Sequence, residues 1–201
     1  MSHKPSPWAS ERLIYRAIET EDDPFLLAIS SDAEAYVNAA PFIPVPQGKV
    51  SAAKFREWLG TALLAVIICL PPPVSNSTTA PDTATSQPVP IGMINLTADD
   101  PRFQHHRRSE IGVNLVRAYR SQGYGSEAIK WALRFGFMHC NLHRIAIAGF
   151  EYNPGALKLY ERLGFKLESR KRDFLWSNGK YWDMVELSML EDEWREQYAK
   201  E

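Results

Sequence analysis

At 201 residues with 45% apolar side chains, the chain is long enough to bury a substantial core, and one domain spanning residues 1–201 is expected. Its 24 acidic and 23 basic residues nearly cancel to a net charge of −1, which excludes the broad positive surface of a nucleic-acid binder. Met1 to Ser10 carries no apolar run, and the longest apolar stretch, Ala62 to Leu70, falls short of the ~20 residues of a bilayer span, so a soluble, unprocessed protein with no membrane partner is expected.

In chain order, Glu11 to Ile18 alternates as a first strand does, and Glu21-Asp22-Asp23-Pro24 opens a helix predicted to run to about Ser31. Asp32 to Gln47 holds Pro41, Pro44 and Pro46 between Tyr36 and Phe42, which predicts an ordered loop with apolar anchors. A second helix is expected from Lys49 to about Leu63, with Phe55, Trp58 and Leu59 on its buried side. Ala65 to Leu70 is β-branched and apolar on both faces, the mark of a central strand. Its Cys69 and the later Cys140 lack metal-ligand spacing, so neither a metal nor a disulfide is expected, and a reducing cytoplasm suits them. Pro71 to Pro90 then holds six prolines, many Ser and Thr, and Asp82 as its only charge. Such an insertion buries too little to fold alone and reads either as a lid or as a hairpin insertion.

Ile91 to Leu96 resumes as a strand, a polar connection runs from Thr97 to His106, and Arg108 to Val116 forms the next strand. Without a bulge, its alternation sets Glu110, Gly112 and Asn114 on one face and Ile111, Val113 and Leu115 on the other. Arg120-Ser121-Gln122-Gly123-Tyr124-Gly125 follows, ahead of a helix from about Gly123 to His139 with Ala128, Trp131, Ala132, Phe135 and Met138 on its apolar side. Two glycines at a strand-to-helix passage are either a plain turn or a cradle in which unpaired helix N–H groups hold a phosphate. His143 to Gly149 reads as a strand, and the β–α–β order predicts parallel pairing through a right-handed crossover. Asn153-Pro154 caps a helix that ends at Gly164. Phe165 to Asp173 and Lys180 to Leu190 are the last strands, joined through the turn Ser177-Asn178-Gly179, and Glu191 to Glu201 is a polar tail.

Three stretches together resemble the GCN5-related N-acetyltransferase (GNAT) superfamily. Arg120 to Gly125 fits its pyrophosphate pattern. Asn153-Pro154-Gly155-Ala156-Leu157-Lys158-Leu159-Tyr160-Glu161-Arg162-Leu163-Gly164-Phe165 is similar to its second signature. Arg172-Asp173 through Gly179-Lys180-Tyr181-Trp182-Asp183-Met184 resembles the branch of ribosomal-protein alanine acetyltransferases and related small-amine enzymes. The resemblance implies a mixed α/β fold, with a mostly antiparallel twisted sheet of about seven strands, a splayed parallel pair and about four flanking helices. It implies acetyl-CoA as donor, a primary amine of a protein N-terminus or small molecule as acceptor, and a monomer or homodimer. The CoA pyrophosphate would rest on Arg120, Ser121, Gln122, Gly123, Tyr124, Gly125 and Ser126, and the pantetheine arm on the backbone of Asn114, Leu115 and Val116, with Asn153 beside it.

The same resemblance makes Tyr160 the acid that protonates the departing thiolate; spacing alone favours a core aromatic on the helix's apolar side. Glu110 is the first candidate for the base, with His105 and His106 as alternatives. Asp99, Asp100, Glu151 and Asp173 are candidates for an acceptor pocket, as are the aromatics Phe42, Trp58, Trp176 and Trp182. A non-catalytic acyl-CoA-binding module stands as the competing function, and a nucleotide-binding regulator as a more remote one.

Overall fold

The computed structural model describes residues 6–72 and 87–198. Its strands are β1 Ile14–Arg16, β2 Leu64–Leu70, β3 Val89–Leu96, β4 Arg108–Leu115, β5 Arg144–Phe150, β6 Lys166–Ser177 and β7 Lys180–Leu190. They form one seven-stranded sheet in the order β1-β2-β3-β4-β5-β7-β6. Every neighbouring pair is antiparallel except β4 and β5. That exception follows from the connection, because β4 reaches β5 through helix α4, Tyr124–Met138, which returns the chain to the same end of the sheet. The other α-helices among the described residues are α1 Asp23–Ser31, α2 Ala33–Ala39, α3 Lys49–Leu59, α5 Pro154–Arg162 and α6 Glu191–Tyr198.

The apolar run in β2 serves both faces of the sheet, as its composition predicts. Val66 and Ile68 join a core with Leu13, Ile94, Ile111, Ile145 and the inner side of α4. Ile67 and Cys69 join a second core with Leu26, Ile29, Leu59 and Met93, under α1 and α3. At the far edge, the turn between β6 and β7 has Asn178 at φ 51° and Gly179 at φ 80°. Two left-handed residues match the twist of the strands they join.

Several expectations need correction. The stretch read as a loop after Asp32 contains α2, because Asp32 both ends α1 and caps α2, its carboxylate accepting from Ala35 N at 3.2 Å. Ala33, Ala35 and Ala39 then favour the helix, and the prolines come only after it. Leu59 is buried as expected, with Ala52 beside it and Phe55 packed at the core's edge, but Trp58 is exposed and stacks on Phe55 with ring centroids 5.9 Å apart. Met138, at the last turn of α4, is likewise exposed. Cys140 lies just past that helix and is partly buried. Most of the Pro, Ser and Thr-rich insertion, residues 73–86, lies outside the described residues, and the choice between lid and hairpin lies there with it.

Candidate active site

β4 and β5 pair only at Arg108↔Arg144, Ser109↔Ile145 and Glu110↔Ala146. Beyond that point β4 stays paired to β3 and β5 to β7, so a gap opens between the two parallel strands. The β3–β4 register runs unbroken from Leu96↔Ile111 to Gly92↔Leu115. No bulge intervenes, and Glu110, Gly112 and Asn114 do share a face. Peptide groups alternate in direction along an antiparallel strand. Thr97 N donates to Glu110 O and Val116 N donates to Ile91 O, so the even residues of β4 turn toward β3. Val113 and Leu115 therefore turn their peptide groups to the gap. Of Asn114, Leu115 and Val116, the three residues expected to offer backbone there, only Leu115 does so.

At the wide end of the gap sits the glycine-rich loop. Ser121 and Gly123 are left-handed, at φ 59° and 85°, and Gly123 is the N-cap of α4. No side chain caps that helix. Its first amides, from Tyr124, Gly125 and Ser126, point out of the first turn without intrahelical partners. A Cβ on Gly125 would meet Leu115 Cδ1 at 3.6 Å and Leu159 Cδ2 at 3.9 Å, ordinary contacts. Nothing in the fold therefore requires glycine at 125. The exposed Gln122 side chain folds back along the loop, its Nε2 donating to Ala118 O at 2.7 Å. The Arg120 guanidinium sits at this end of the gap, its Nε donating to the gap-facing Leu115 O at 2.9 Å and its Nη2 to Asp32 at 3.1 Å.

Arg12 is a loop neighbour that sequence reading missed. It donates to Gln122 O at 3.1 Å, pairs with Glu127 at 2.8 Å and lies 4.6 Å from the Tyr124 ring centroid. Burial opposes ionisation of Glu127, but the Arg12 amide, Ser10 and the Arg12 guanidinium outweigh it and hold its pKa low. No local signal joins position 12 to a loop more than a hundred residues later.

The two sides of the gap carry different chemistry. On the α4 side, the Tyr160 ring lies against β5, with Cε2 3.5 Å from where a Gly149 Cβ would stand. Tyr160 is 8% exposed, and burial pushes its pKa up to about 12. Asn153 caps α5, its Oδ1 accepting from Ala156 N at 3.3 Å. On the opposite face, Glu110 lines a cavity of about 330 Å³ with Ala146, Ala148 and Glu186. Its side chain keeps contact with solvent, yet surrounding protein raises its pKa by desolvation and the Glu186 carboxylate raises it further, against the pull of Lys171. The cavity's other acids are paired: Asp99 with Arg108 at 2.8 Å, Glu168 with Arg144 at 2.7 Å and Glu186 with Lys171 at 2.5 Å.

His105 and His106 lie in tilted contact, ring centroids 3.9 Å apart, exposed on a 3-10 turn outside this cavity. Asp100 binds Arg102, Glu151 accepts from Asp183 N, and Asp173 sits at a left-handed kink in β6. Among the four acceptor-pocket acids only Asp99 lines the cavity. A second cleft, of about 630 Å³, lies between the end of α2 and the β6–β7 hairpin. Phe42, Ile43, Phe174 and Trp176 line it beside Tyr152, and no charged residue does. Trp182 supports the cleft from outside its lining, packing edge-on against Tyr152 and donating to Ser177 O at 3.1 Å, and Trp58 stands on α3. Tyr152 ties the cleft to α2 by donating to Val37 O at 2.8 Å.

Asn95 of β3, also missed, stands opposite Gly112 and is 2% exposed. A side chain at 112 would collide with its Oδ1, so the Asn95 amide lies over the β4 backbone. Its Nδ2 has no partner among the described residues. An unmet buried donor typically costs about 1–3 kcal/mol. The only sequence signal is an asparagine inside the apolar run of β3.

Among the described residues no cluster of His, Cys, Asp or Glu is arranged to hold a metal ion, and no helix is long and apolar enough to cross a membrane. Comparison with known proteins gives relatives across most of the chain. An uncharacterized N-acetyltransferase, p20 of Bacillus licheniformis, is 29% identical over 189 residues, covering 92% of this chain and 96% of p20. The putative ribosomal N-acetyltransferase YdaF of Bacillus subtilis is 33% identical over 103 residues, 51% of this chain and 55% of that protein. Spermidine N-acetyltransferase from Vibrio cholerae, solved with CoA and spermine, superposes at a TM-score of 0.72 with 20% identity, covering 92% of this chain and 99% of that one. The acetyltransferase (GNAT) domain model matches residues 12–166, which with the splayed strands and the loop-to-helix passage makes the chain a member of the GNAT acetyltransferase family.

Proposed function

We propose that this protein transfers the acetyl group of acetyl-CoA directly to a primary amine. The observation that carries this reading is the gap between β4 and β5, which has the uncapped N-terminus of α4 at one end, Tyr160 beside one face and Glu110 on the other. The amides of Tyr124, Gly125 and Ser126, with Ser121, Gln122 and Gly123 shaping the turn, suit the pyrophosphate. The helix dipole favours its charge. Glycine at 125, unneeded by the fold, leaves room for the phosphate to approach. Arg120 holds the loop against β4, and Asn153 fixes the start of α5 beside the arm. The pantetheine arm takes the place of the missing strand pairing, against the peptide groups of Val113 and the N–H of Leu115, whose carbonyl Arg120 already holds.

In the reaction Glu110 accepts a proton from the incoming ammonium. The freed amine attacks the thioester carbonyl, forming the C–N bond. As the tetrahedral adduct collapses the C–S bond breaks, Tyr160 protonates the departing sulfur, and the nitrogen loses its second proton to solvent. Glu110 then releases its proton and Tyr160 regains one from solvent, so the net products are the acetamide, CoA thiol and one proton. Tyr160 at about 12 stays protonated throughout the neutral range, as a donor must.

The acceptor reading rests on the uncharged aromatic cleft. A polyamine demands unpaired carboxylates, whereas the acids around Glu110 are bound to Arg108, Arg144 and Lys171. Phe42, Ile43, Phe174 and Trp176 suit an amine on an apolar body, such as a peptide N-terminus. One domain in the cytoplasm, with its two cysteines free, completes the reading. Thiol release from acetyl-CoA across peptides, polyamines and small amines tests it, with apolar peptides expected to react fastest. CoA binding without thiol release for any amine favours a non-catalytic module instead.

A further inference from the structure

Four polar side chains are buried among the described residues: Asp22, Asn95, Ser109 and Ser188. Three are satisfied, Asp22 by Arg16, Ser109 by Thr97 O and Ser188 by Glu168. Asn95 Nδ2 is not. Its surroundings set it apart further. Asn95 pairs with Gly112, the second residue beyond the last β4–β5 pair, Glu110↔Ala146. With no side chain at 112, its amide lies over the β4 backbone between Glu110 and Asn114, on the face where the acceptor would enter. Buried unmet donors are rare in folded proteins and each has a cause, a catalytic role among them.

We propose that Asn95 is a catalytic residue, its Nδ2 donating a hydrogen bond to the acyl carbonyl oxygen as that oxygen gains negative charge. This rests on the acetyl-transfer reading above. An amide N–H only donates. Of the groups that would meet in the gap, the ammonium donates too, and the amine's lone pair is spent on the carbonyl carbon. The acyl oxygen alone accepts and becomes more negative, and a donor already in place stabilises it most in a site shielded from water. Gly112 is then the residue that lets a β3 side chain reach across β4.

The test compares wild type with Asn95→Leu for single-turnover transfer at saturating acetyl-CoA, for acetyl-CoA affinity and for thermal midpoint. Asn95→Leu removes the unmet donor, so it is expected to melt at or above wild type and to bind acetyl-CoA within about twofold. Its rate is expected to fall on the order of 100-fold. A wild-type rate overturns the proposal, as does a rate loss accompanied by an equal loss of thermal stability, which marks a structural role. If the leucine does not fit, Asn95→Ala, which adds no atoms, tests the same donor through its rate at a temperature where it is folded, with the same fall expected and a wild-type rate again overturning the proposal. A wild type inactive toward every amine overturns the acetyl-transfer reading and this proposal together; an active wild type with unimpaired variants removes Asn95 alone.

Discussion

Arg120 and Asp32 form an ion pair at 3.1 Å that ties the glycine-rich loop to the N-cap of α2. Burial opposes ionisation of Asp32, but the Ala35 amide and Arg120 outweigh it and keep its pKa below the usual carboxylate range. The glycine-rich loop and the helix beside the apolar cleft thus share one anchor. Arg120→Ala loses both this pair and the bond to Leu115 O, and is expected to weaken acetyl-CoA binding about tenfold, ~1.4 kcal/mol. Asp32→Asn keeps a capping oxygen and should cost about threefold. Calorimetry reads both, and unchanged affinity in Arg120→Ala would separate the loop from the donor site.

The two loop glycines predict different defects. Gly123 is left-handed at φ 85°, so Gly123→Ala is strained and should lose about 1–2 kcal/mol of stability along with donor affinity. Gly125 is helical and has room for a Cβ. Gly125→Val should keep a thermal midpoint near wild type while raising the acetyl-CoA dissociation constant more than about tenfold. Its preference among amines should not change. A Gly125→Val protein with wild-type affinity contradicts the cradle.

The proposed base role of Glu110 predicts a pH dependence whose sign follows from its raised pKa. As a base it works only when ionised, so the acid limb of the rate should lie above the ordinary carboxylate range, and Glu110→Gln should remove that limb. For stability, the raised folded pKa means that folding favours the protonated form. That contribution is complete below the unfolded pKa and is lost as pH rises through the folded one. Glu110→Gln should therefore be slightly more stable than wild type at neutral pH and no different in acid. Solvent contact keeps this effect small. A pH–rate profile identical to wild type in Glu110→Gln assigns the limb to another group.

Much of the fold was legible because it is written locally. Asn153-Pro154 and Gly164 bound α5, Asn178-Gly179 makes the hairpin, and the unbroken alternation of β4 places Glu110 on its face. α2 escapes a local reading because its signal, the Asp32 cap, coincides with the end of the preceding helix. Arg12, Asn95 and the Arg120–Asp32 pair are hidden for a different reason. Each acts through a contact across the sheet or between distant segments, such as Arg12 with Gln122 and Asn95 with Gly112, and such contacts exist only once the strands are in register.

Tyr160 carries the central claim, since a buried phenol against β5 is either the proton donor to sulfur or a core aromatic. Tyr160→Phe leaves the ring, its packing on Gly149 and its contact with Phe165 in place, and removes only the hydroxyl. Under single-turnover conditions with acetyl-CoA and a reactive amine, the transfer rate should fall about 10²-fold or more, with thermal midpoint and acetyl-CoA affinity preserved. A wild-type rate in Tyr160→Phe would contradict the account.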